Sequence, residues 1–332
     1  MSVLTIISDN NGAGKTATTS ALKIQLEKLD LGVTPIKLSC NSDEDNEVEN
    51  NVYSYLQPKS EHPVSININS EKPNKSAIQN LKSIAKKTAA KNNLLIIEIT
   101  SSANDDLTQT IINELDAKVL IVSIHLPNMP DMSLRKLTNS FGERLIGVII
   151  NKQLRYRKTE LKETILPKLS KSGVECLGVI PEDKSLMAIS LNNLAKYLKG
   201  NLVTENQHED KLIDYFLIGG MGLDPSKSYF ETRRRKAVVI RGDRPDLQMA
   251  SIETDPECII LTKGIEPIEY VKYEAEEKDI PIYVVEKSTQ QIMSDLDGIQ
   301  TTVNFNHPAK IEGFSQAFSK YINIEPISSN IN

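Results

Sequence analysis

Short, nearly unbroken apolar runs alternate along the chain with longer stretches whose apolar residues recur every three to four positions. Runs of the first kind suit strands covered on both faces, and the second kind suits amphipathic helices, so the alternation predicts βαβ units around a mostly parallel sheet. Strands are expected at Val3–Ser8, Val33–Leu38, Leu94–Ile99, Lys118–Ser123, Leu145–Asn151 and Glu175–Ile180. Helices should lie between them at Lys15–Leu29, Ser76–Lys91, Asp105–Leu115, Asp131–Phe141, Lys158–Ser172 and Ser185–Leu198. Asn41 to Lys75 breaks this rhythm, being rich in Asn, Asp, Glu, Ser and Pro, as functional or mobile loops are.

The chain turns polar again around Gly200–Lys211, and a second β/α series follows. Its strands are expected near Tyr215–Gly219, Ala237–Ile240, Cys258–Leu261 and Ile282–Val285. Its helices fall at Asp224–Arg234, Pro245–Glu253, Pro267–Lys278, Thr289–Asp297 and Ala309–Tyr321. A boundary within Leu202–Lys211 is therefore predicted, dividing residues 1–205 from a domain of residues 206–325, each folding alone. The length of 332 residues agrees, since domains run to about 100–200 residues.

Composition narrows the function classes. With 39% hydrophobic and 25% charged residues the chain reads as soluble and globular, and no apolar run nears the roughly 20 residues of a membrane helix. The N-terminus lacks a basic start and a long apolar core, so a cytoplasmic protein is expected. A net charge of −5 argues against a general nucleic-acid or anionic-membrane binder. The one basic run, Arg233-Arg234-Arg235-Lys236, is read as complementing a helix C-terminus. Cys40, Cys176 and Cys258 share no spacing with each other or with His62, His125, His208 and His307, so neither a disulfide framework nor a protein metal cage is indicated.

The chemistry concentrates after the first strand, in Ser8-Asp9-Asn10-Asn11-Gly12-Ala13-Gly14-Lys15-Thr16. A glycine loop between a strand and a helix aims successive N–H groups at phosphate oxygens, and the helix N-terminus adds partial positive charge. Lys15 is expected on the terminal phosphates and the Thr16 hydroxyl on magnesium, with Asn11, Gly12, Ala13, Gly14 and Ala17 completing the cofactor-binding set. Asp9 replaces the leading glycine of the G-x-x-x-x-G-K-[ST] pattern and brings a carboxylate that repels phosphate. The alternative to a nucleotide site is an ordinary glycine turn. Glu98, ending an apolar strand, is a candidate metal-holding acid or else a surface glutamate; Asp43 and Asp45 are further metal candidates or part of a solvated acidic loop.

These residues resemble the dethiobiotin-synthetase-like branch of P-loop ATPases, in the version at the N-terminus of long phosphotransacetylases. The resemblance implies a P-loop α/β sheet with helices on both faces, followed by a smaller α/β domain. It implies that Lys37 approaches substrate and phosphate, that Asn151, ending Gly147-Val148-Ile149-Ile150-Asn151, reads adenine, and that Pro181 in Gly178-Val179-Ile180-Pro181-Glu182 borders the base. A plain strand-ending turn is the alternative for Asn151. The second series resembles the DRTGG domain through Arg241-Gly242-Asp243-Arg244-Pro245-Asp246-Leu247-Gln248 and Ile260-Leu261-Thr262-Lys263-Gly264.

Both of these segments end strands, where open α/β sheets place ligands, so Asp243, Arg244, Thr262 and Gly264 form a candidate effector site. Asp243 is expected to cap the next helix and Arg244 to grip an anion or a carboxylate, unless both are purely structural. Lys263 stands where the family has its second glycine, and Ile99-Thr100-Ser101 replaces a glycine-rich continuation after Glu98.

Three functions fit. The first is an ATP- and magnesium-binding regulatory protein, expected to lack an acyltransferase segment because the sequence stops at Asn332, with a small-molecule effector at the second domain and a homodimer as the assembly. The second is an ATP-dependent carboxylate-activating ligase using Lys15, Lys37, Thr16 and Glu98. The third is a nucleotide-free scaffold in which Asp9 blocks phosphate entry.

Overall fold

The computed structural model describes residues 3–39, 52–57, 65–67, 75–91, 93–100, 106–124, 139–205, 210–220, 223–299 and 303–331. Asp43, Asp45, Cys40, His62, His125, His208 and most of the helix expected at Asp131–Phe141 lie outside the described residues. The chain forms two compact units, Met1–Asp183 with Phe305–Asn332, and Lys184–Asn304.

The first unit is built on seven strands: β1 (Val3–Ser8), β2 (Val33–Ser39), β3 (Ser65–Asn67), β4 (Leu94–Ile99), β5 (Lys118–Ile124), β6 (Leu145–Gln153) and β7 (Cys176–Pro181). Their order across the sheet is β3-β2-β4-β1-β5-β6-β7, and every pairing is parallel. β1 and β4 are buried along their whole length, which their unbroken apolar sequences require. On one face Val3, Ile7, Ile36, Leu95, Ile97 and Ile121 join Leu81, Ile84, Ile111 and Ile112 from the helices Lys75–Ala90 and Asp106–Leu115 in one core. The helix Lys15–Glu27 packs against β1, β2 and β4 without entering that cluster, so it covers the other face.

The helix Pro308–Tyr321, expected in the second domain, belongs to the first unit and is followed there by a short helix, Glu325–Ile331. It lies along Lys15–Glu27, where Gln25 Nε2 donates to Ser315 Oγ at 2.8 Å. Its end then straps β7: Ile322 bridges Gly178, and Asn323 N donates to the Leu177 carbonyl at 2.8 Å. Any Cβ on Gly178 (φ +155°) would sit 2.1 Å from the Tyr321 carbonyl, so this crossing needs glycine. The second unit is thus an insertion between β7 and the helix Pro308–Tyr321, which packs back onto the first unit as its closing helix.

The second unit contains β8 (Ile189–Ser190), β9 (Asn201–Leu202), β10 (Leu212–Ile213), β11 (Tyr215–Gly219), β12 (Lys236–Arg241), β13 (Cys258–Thr262) and β14 (Ile282–Val284). Four parallel strands and antiparallel β9 make a sheet of order β11-β12-β13-β14-β9, with cores on both faces; β8 and β10 form a small ribbon. The division falls at Asp183 and Lys184 rather than in the expected 202–211 stretch. Leu191, Leu194 and Leu198 pack with Val239 and Ile260 of the second sheet, and the polar stretch that follows supplies an edge strand, not a linker.

Three expected helices take other forms. Ser185–Leu198 breaks into a 3-10 turn at Lys184–Met187, the strand β8, and a helix Leu191–Leu198 whose N-cap hydroxyl, Ser190 Oγ, accepts from Asn193 N. Lys158–Ser172 widens to a π-helix over Leu161–Ile165, just before Pro167, which has no amide hydrogen to continue an α-helical ladder. The helix ahead of the basic run ends at Phe230, so that run does not complement its last turn. Instead Arg235 pairs with Asp214 at 3.2 Å, Arg233 lies over the Tyr215 ring, and Lys236 is buried with its ammonium on the Thr254 carbonyl. Among the described residues no helix is long and apolar enough to cross a membrane, and no metal-ligating cluster of His, Cys, Asp and Glu occurs.

Candidate functional site

β1 delivers the chain to the carboxyl edge of the sheet between β4 and β5, where its neighbours run to opposite sides. The loop then turns through Gly12 (φ +70°) and Gly14 (φ +96°) into the helix that begins at Lys15. Gly14 is the left-handed N-cap of that helix and leaves its first turn uncapped by any side chain; no acidic residue stands in that turn. The positive end of the helix is therefore not offset from within the helix. Lys15 Nζ donates to Ser8 Oγ at 2.9 Å, and Ser8 Oγ in turn donates to the Asn10 carbonyl at 2.9 Å, so the lysine folds back along its own loop.

Asn151, at the end of β6, reaches the loop from the side. Its Nδ2 donates to the Ala13 carbonyl at 2.9 Å, and its Oδ1 accepts from Lys152 N at 2.9 Å. Only 3% exposed, it fastens the loop. Pro181 is exposed at the end of β7 beside Gln153, its partner in β6.

Deeper in the site the Thr16 hydroxyl donates to Glu98 Oε1 at 2.9 Å, while the Tyr53 hydroxyl donates to Glu98 Oε2. Thr16, Glu98 and Tyr53 are all buried, so Glu98 is not a surface glutamate. Lys37, also buried, is the direct cross-strand partner of Glu98, and Ile6 flanks Glu98 on β1; all three sit on the face covered by the Lys15–Glu27 helix. A hydroxyl and a carboxylate in hydrogen-bond contact beside a phosphate loop are the hard oxygen donors that suit Mg2+, with water completing its shell.

Asp9 is tied to β5 and lies within reach of the Lys15 charge. Its Oδ2 accepts from Ser123 Oγ on β5 at 2.9 Å, and Oδ1 is buried with no partner among the described residues. Burial pushes the Asp9 carboxyl above the usual carboxylate range, against opposing pulls from the Ser123 hydrogen bond and the Lys15 charge.

In the second unit, Arg241 to Arg244 leave β12 and Thr262 to Gly264 leave its neighbour β13, with Gly242 N donating to the Thr262 carbonyl at 3.2 Å. Asp243 does not cap the next helix. The N-cap is Arg244, without a side-chain bond, and Asp243 forms a bidentate pair with Arg241 that holds its carboxyl below the usual range. Arg244 grips Asp246 through two bonds of 2.8 and 2.7 Å. Thr262, fully buried, shares a hydrogen bond with Thr289 at 2.9 Å, and Lys263 adopts φ +71° next to Gly264 at φ +65°. The buried Gln248 ties the motif down from the following helix, donating to the carbonyls of Arg241 and Gly242.

Each unit therefore gathers its own expected residues at one sheet edge: Gly12 to Thr16 with Glu98, Lys37 and Asn151 in the first, and Asp243, Arg244, Thr262 and Gly264 in the second. Asn11 is exposed at the loop tip, Ala17 is buried in the first helical turn, and Asp45 lies outside the described residues. Tyr53 and Ser123 were not foreseen, nor was a role for Ser8 within its loop. Tyr53 stands in a polar stretch without periodicity, and the two serines act through contacts that no spacing encodes.

A seven-stranded parallel sheet with a glycine loop running into a helix at its switch point is the P-loop α/β fold. The chain belongs to the AAA domain family: that family's model matches residues 2–190, in its dethiobiotin-synthetase-like form, and the model of the DRTGG domain matches residues 193–299. A relative is the phosphate acetyltransferase of Nitratidesulfovibrio vulgaris strain Hildenborough, 22% identical over an alignment of 207 residues that covers 59% of this chain. The chain spans 29% of that relative's length.

Two solved structures are similar. The CBS and DRTGG domains of the regulatory region of Clostridium perfringens pyrophosphatase, complexed with the activator diadenosine tetraphosphate, match at a TM-score of 0.32 and 13% identity, over 48% of this chain and 75% of that one. The MinC:MinD cell division protein complex of Aquifex aeolicus matches at a TM-score of 0.38 and 16% identity, over 56% and 84%.

Proposed function

We propose that the chain is an ATP- and magnesium-binding regulatory protein whose first unit holds the nucleotide and whose second unit takes a small-molecule effector. The observation that carries the reading is the Thr16–Glu98 hydrogen bond at the foot of the Gly12–Lys15 loop, which sets a hydroxyl and a carboxylate for a metal beside groups suited to phosphate. Gly12, Gly14 and the first helical N–H groups would face the phosphates, Lys15 would exchange Ser8 for them, and Thr16 and Glu98 would hold Mg2+, directly or through water. The magnesium would screen the charge of the terminal phosphates. Asn151 and Pro181 would border adenine, and Asn151 also keeps the loop in shape through its bond to the Ala13 carbonyl.

Asp243, Arg244, Thr262 and Gly264 are the effector residues in this reading, with Arg244 exchanging Asp246 for an anionic group. Occupancy of the two sites is then coupled, and the coupling is reciprocal. A homodimer is the proposed assembly. Calorimetry with ATP, ADP and GTP in magnesium tests the nucleotide half: binding of ATP is expected, and no heat with any of the three overturns it. Arg244→Ala should spare ATP binding but reduce its effect on assembly or effector affinity, where useful coupling is about 5- to 150-fold.

A second reading, an ATP-dependent carboxylate-activating ligase, is favoured by the buried Lys37 beside Glu98. A screen of small carboxylic acids and amines for ADP release separates the two. Fast substrate-dependent turnover without any nucleotide effect on assembly replaces the regulatory reading with the ligase.

A further inference from the structure

We infer that Tyr53 is a positioning residue for the metal, holding Glu98 from the side opposite Thr16 and thereby setting how strongly ATP binding depends on magnesium. The inference rests on the nucleotide reading above and concerns the residue that makes its metal site work. Glu98 has two carboxylate oxygens: Thr16 donates to Oε1 at 2.9 Å and Tyr53 donates to Oε2. Two donors on opposite oxygens fix both the rotation and the tilt of the group. A hydrogen bond to a charged acceptor in a buried setting is among the stronger ones, so the constraint is stiff.

Tyr53 is itself well placed to serve as a fixed donor. The side chain is fully buried, and the short helix at residues 52–56 that carries it is closed by Gln57 N donating to the Tyr53 carbonyl at 3.0 Å and tied at that end to β2, where Gln57 Nε2 donates to the Pro35 carbonyl at 2.6 Å. β2 also carries Lys37, the cross-strand partner of Glu98, so the phenol and the carboxylate are referred to the same pair of strands. Groups that hydrogen-bond a metal-holding side chain without touching the metal commonly change metal affinity about 10- to 100-fold when removed.

Tyr53→Phe removes only the hydroxyl and keeps the buried ring. ATP is titrated calorimetrically into wild type and variant, each in EDTA and in excess magnesium, and Mn2+ binding to the ATP-loaded proteins is read by electron paramagnetic resonance. The expected result is unchanged ATP affinity in EDTA, with the gain from magnesium and the Mn2+ affinity both reduced about 10- to 100-fold. Glu98→Gln combined with Tyr53→Phe should then bind Mn2+ no more weakly than Glu98→Gln alone. Equal weakening with and without magnesium would mark Tyr53 as merely structural and overturn the inference, as would an unaltered magnesium gain. If wild type binds no ATP under either condition, the nucleotide reading itself fails and takes this inference with it.

Wild type provides a second measurement should the variant not fold. The chain has no Trp, so its near-ultraviolet absorption is dominated by tyrosine. Adding magnesium to the ATP-loaded protein should shift a tyrosine band, because the metal draws charge from the carboxylate that the phenol faces; the absence of any tyrosine difference band overturns the inference.

Discussion

Gly14 and Asn151 compete for one point in space: a Cβ on Gly14 would lie 2.3 Å from Asn151 Nδ2. The backbone at Gly14, at φ +96°, is in addition a conformation that only glycine adopts readily. Gly14→Ala should therefore cost about 1–3 kcal/mol from backbone strain alone. It should also push Asn151 off the Ala13 carbonyl, and ATP binding should be lost with it. Thermal unfolding and nucleotide titration of the variant check both effects, and a stable variant with normal affinity would show that the Asn151 contact is dispensable.

Lys15→Ala should leave the fold intact and weaken ATP binding at least tenfold, on the order of the 1.5–3 kcal/mol carried by a hydrogen bond to a charged group. Calorimetry at matched magnesium is the check. An affinity equal to wild type would mean that the loop does not grip phosphate.

Asp9 gives the site a pH signature. Burial raises its carboxyl above the ordinary value of 3.8, so the folded state holds the proton more tightly than the unfolded chain does. Its contribution to stability is complete below that ordinary value and is lost as pH rises through the raised one. Asp9→Asn, which keeps an acceptor for Ser123, should match wild type in acid and become progressively more stable than wild type towards neutral pH. Removing the negative charge should also tighten ATP binding at neutral pH. Melting curves of both proteins across the acid-to-neutral range test this; a stability difference that does not change with pH would contradict it.

The return of the chain to its first unit changes what truncation should do. Ile311, Phe314 and Phe318 are buried in the closing helix, and removing a buried Phe side chain typically costs about 3–5 kcal/mol. Phe318→Ala should lower the stability of the first unit by that order. A fragment ending near residue 205 should fail to melt cooperatively, whereas a fragment of residues 184–304 should fold alone. Circular dichroism melts of the two fragments decide it, and a cooperative 1–205 fragment as stable as the full chain would show the closing helix to be dispensable.

Much of this organisation was legible in the sequence because it is written in neighbouring residues. Period and run length placed β1 and β4 at their observed bounds, and the strand–glycine loop–helix order marked Gly12 to Thr16, since a backbone that bends at glycines and then enters a helix declares itself locally. Glu98 was visible as a lone acid in an apolar strand. The tertiary structure alone decided what lies far apart in the chain. It set Tyr53 against Glu98, Asn151 against Ala13 and Ser123 against Asp9, and it brought Pro308–Tyr321 back along the first helix. It likewise turned Asp243 to Arg241 rather than to the helix it precedes. Periodicity says which face of an element is apolar but not which element covers it, and a hydrogen bond between distant residues depends on strand order, which no local pattern encodes.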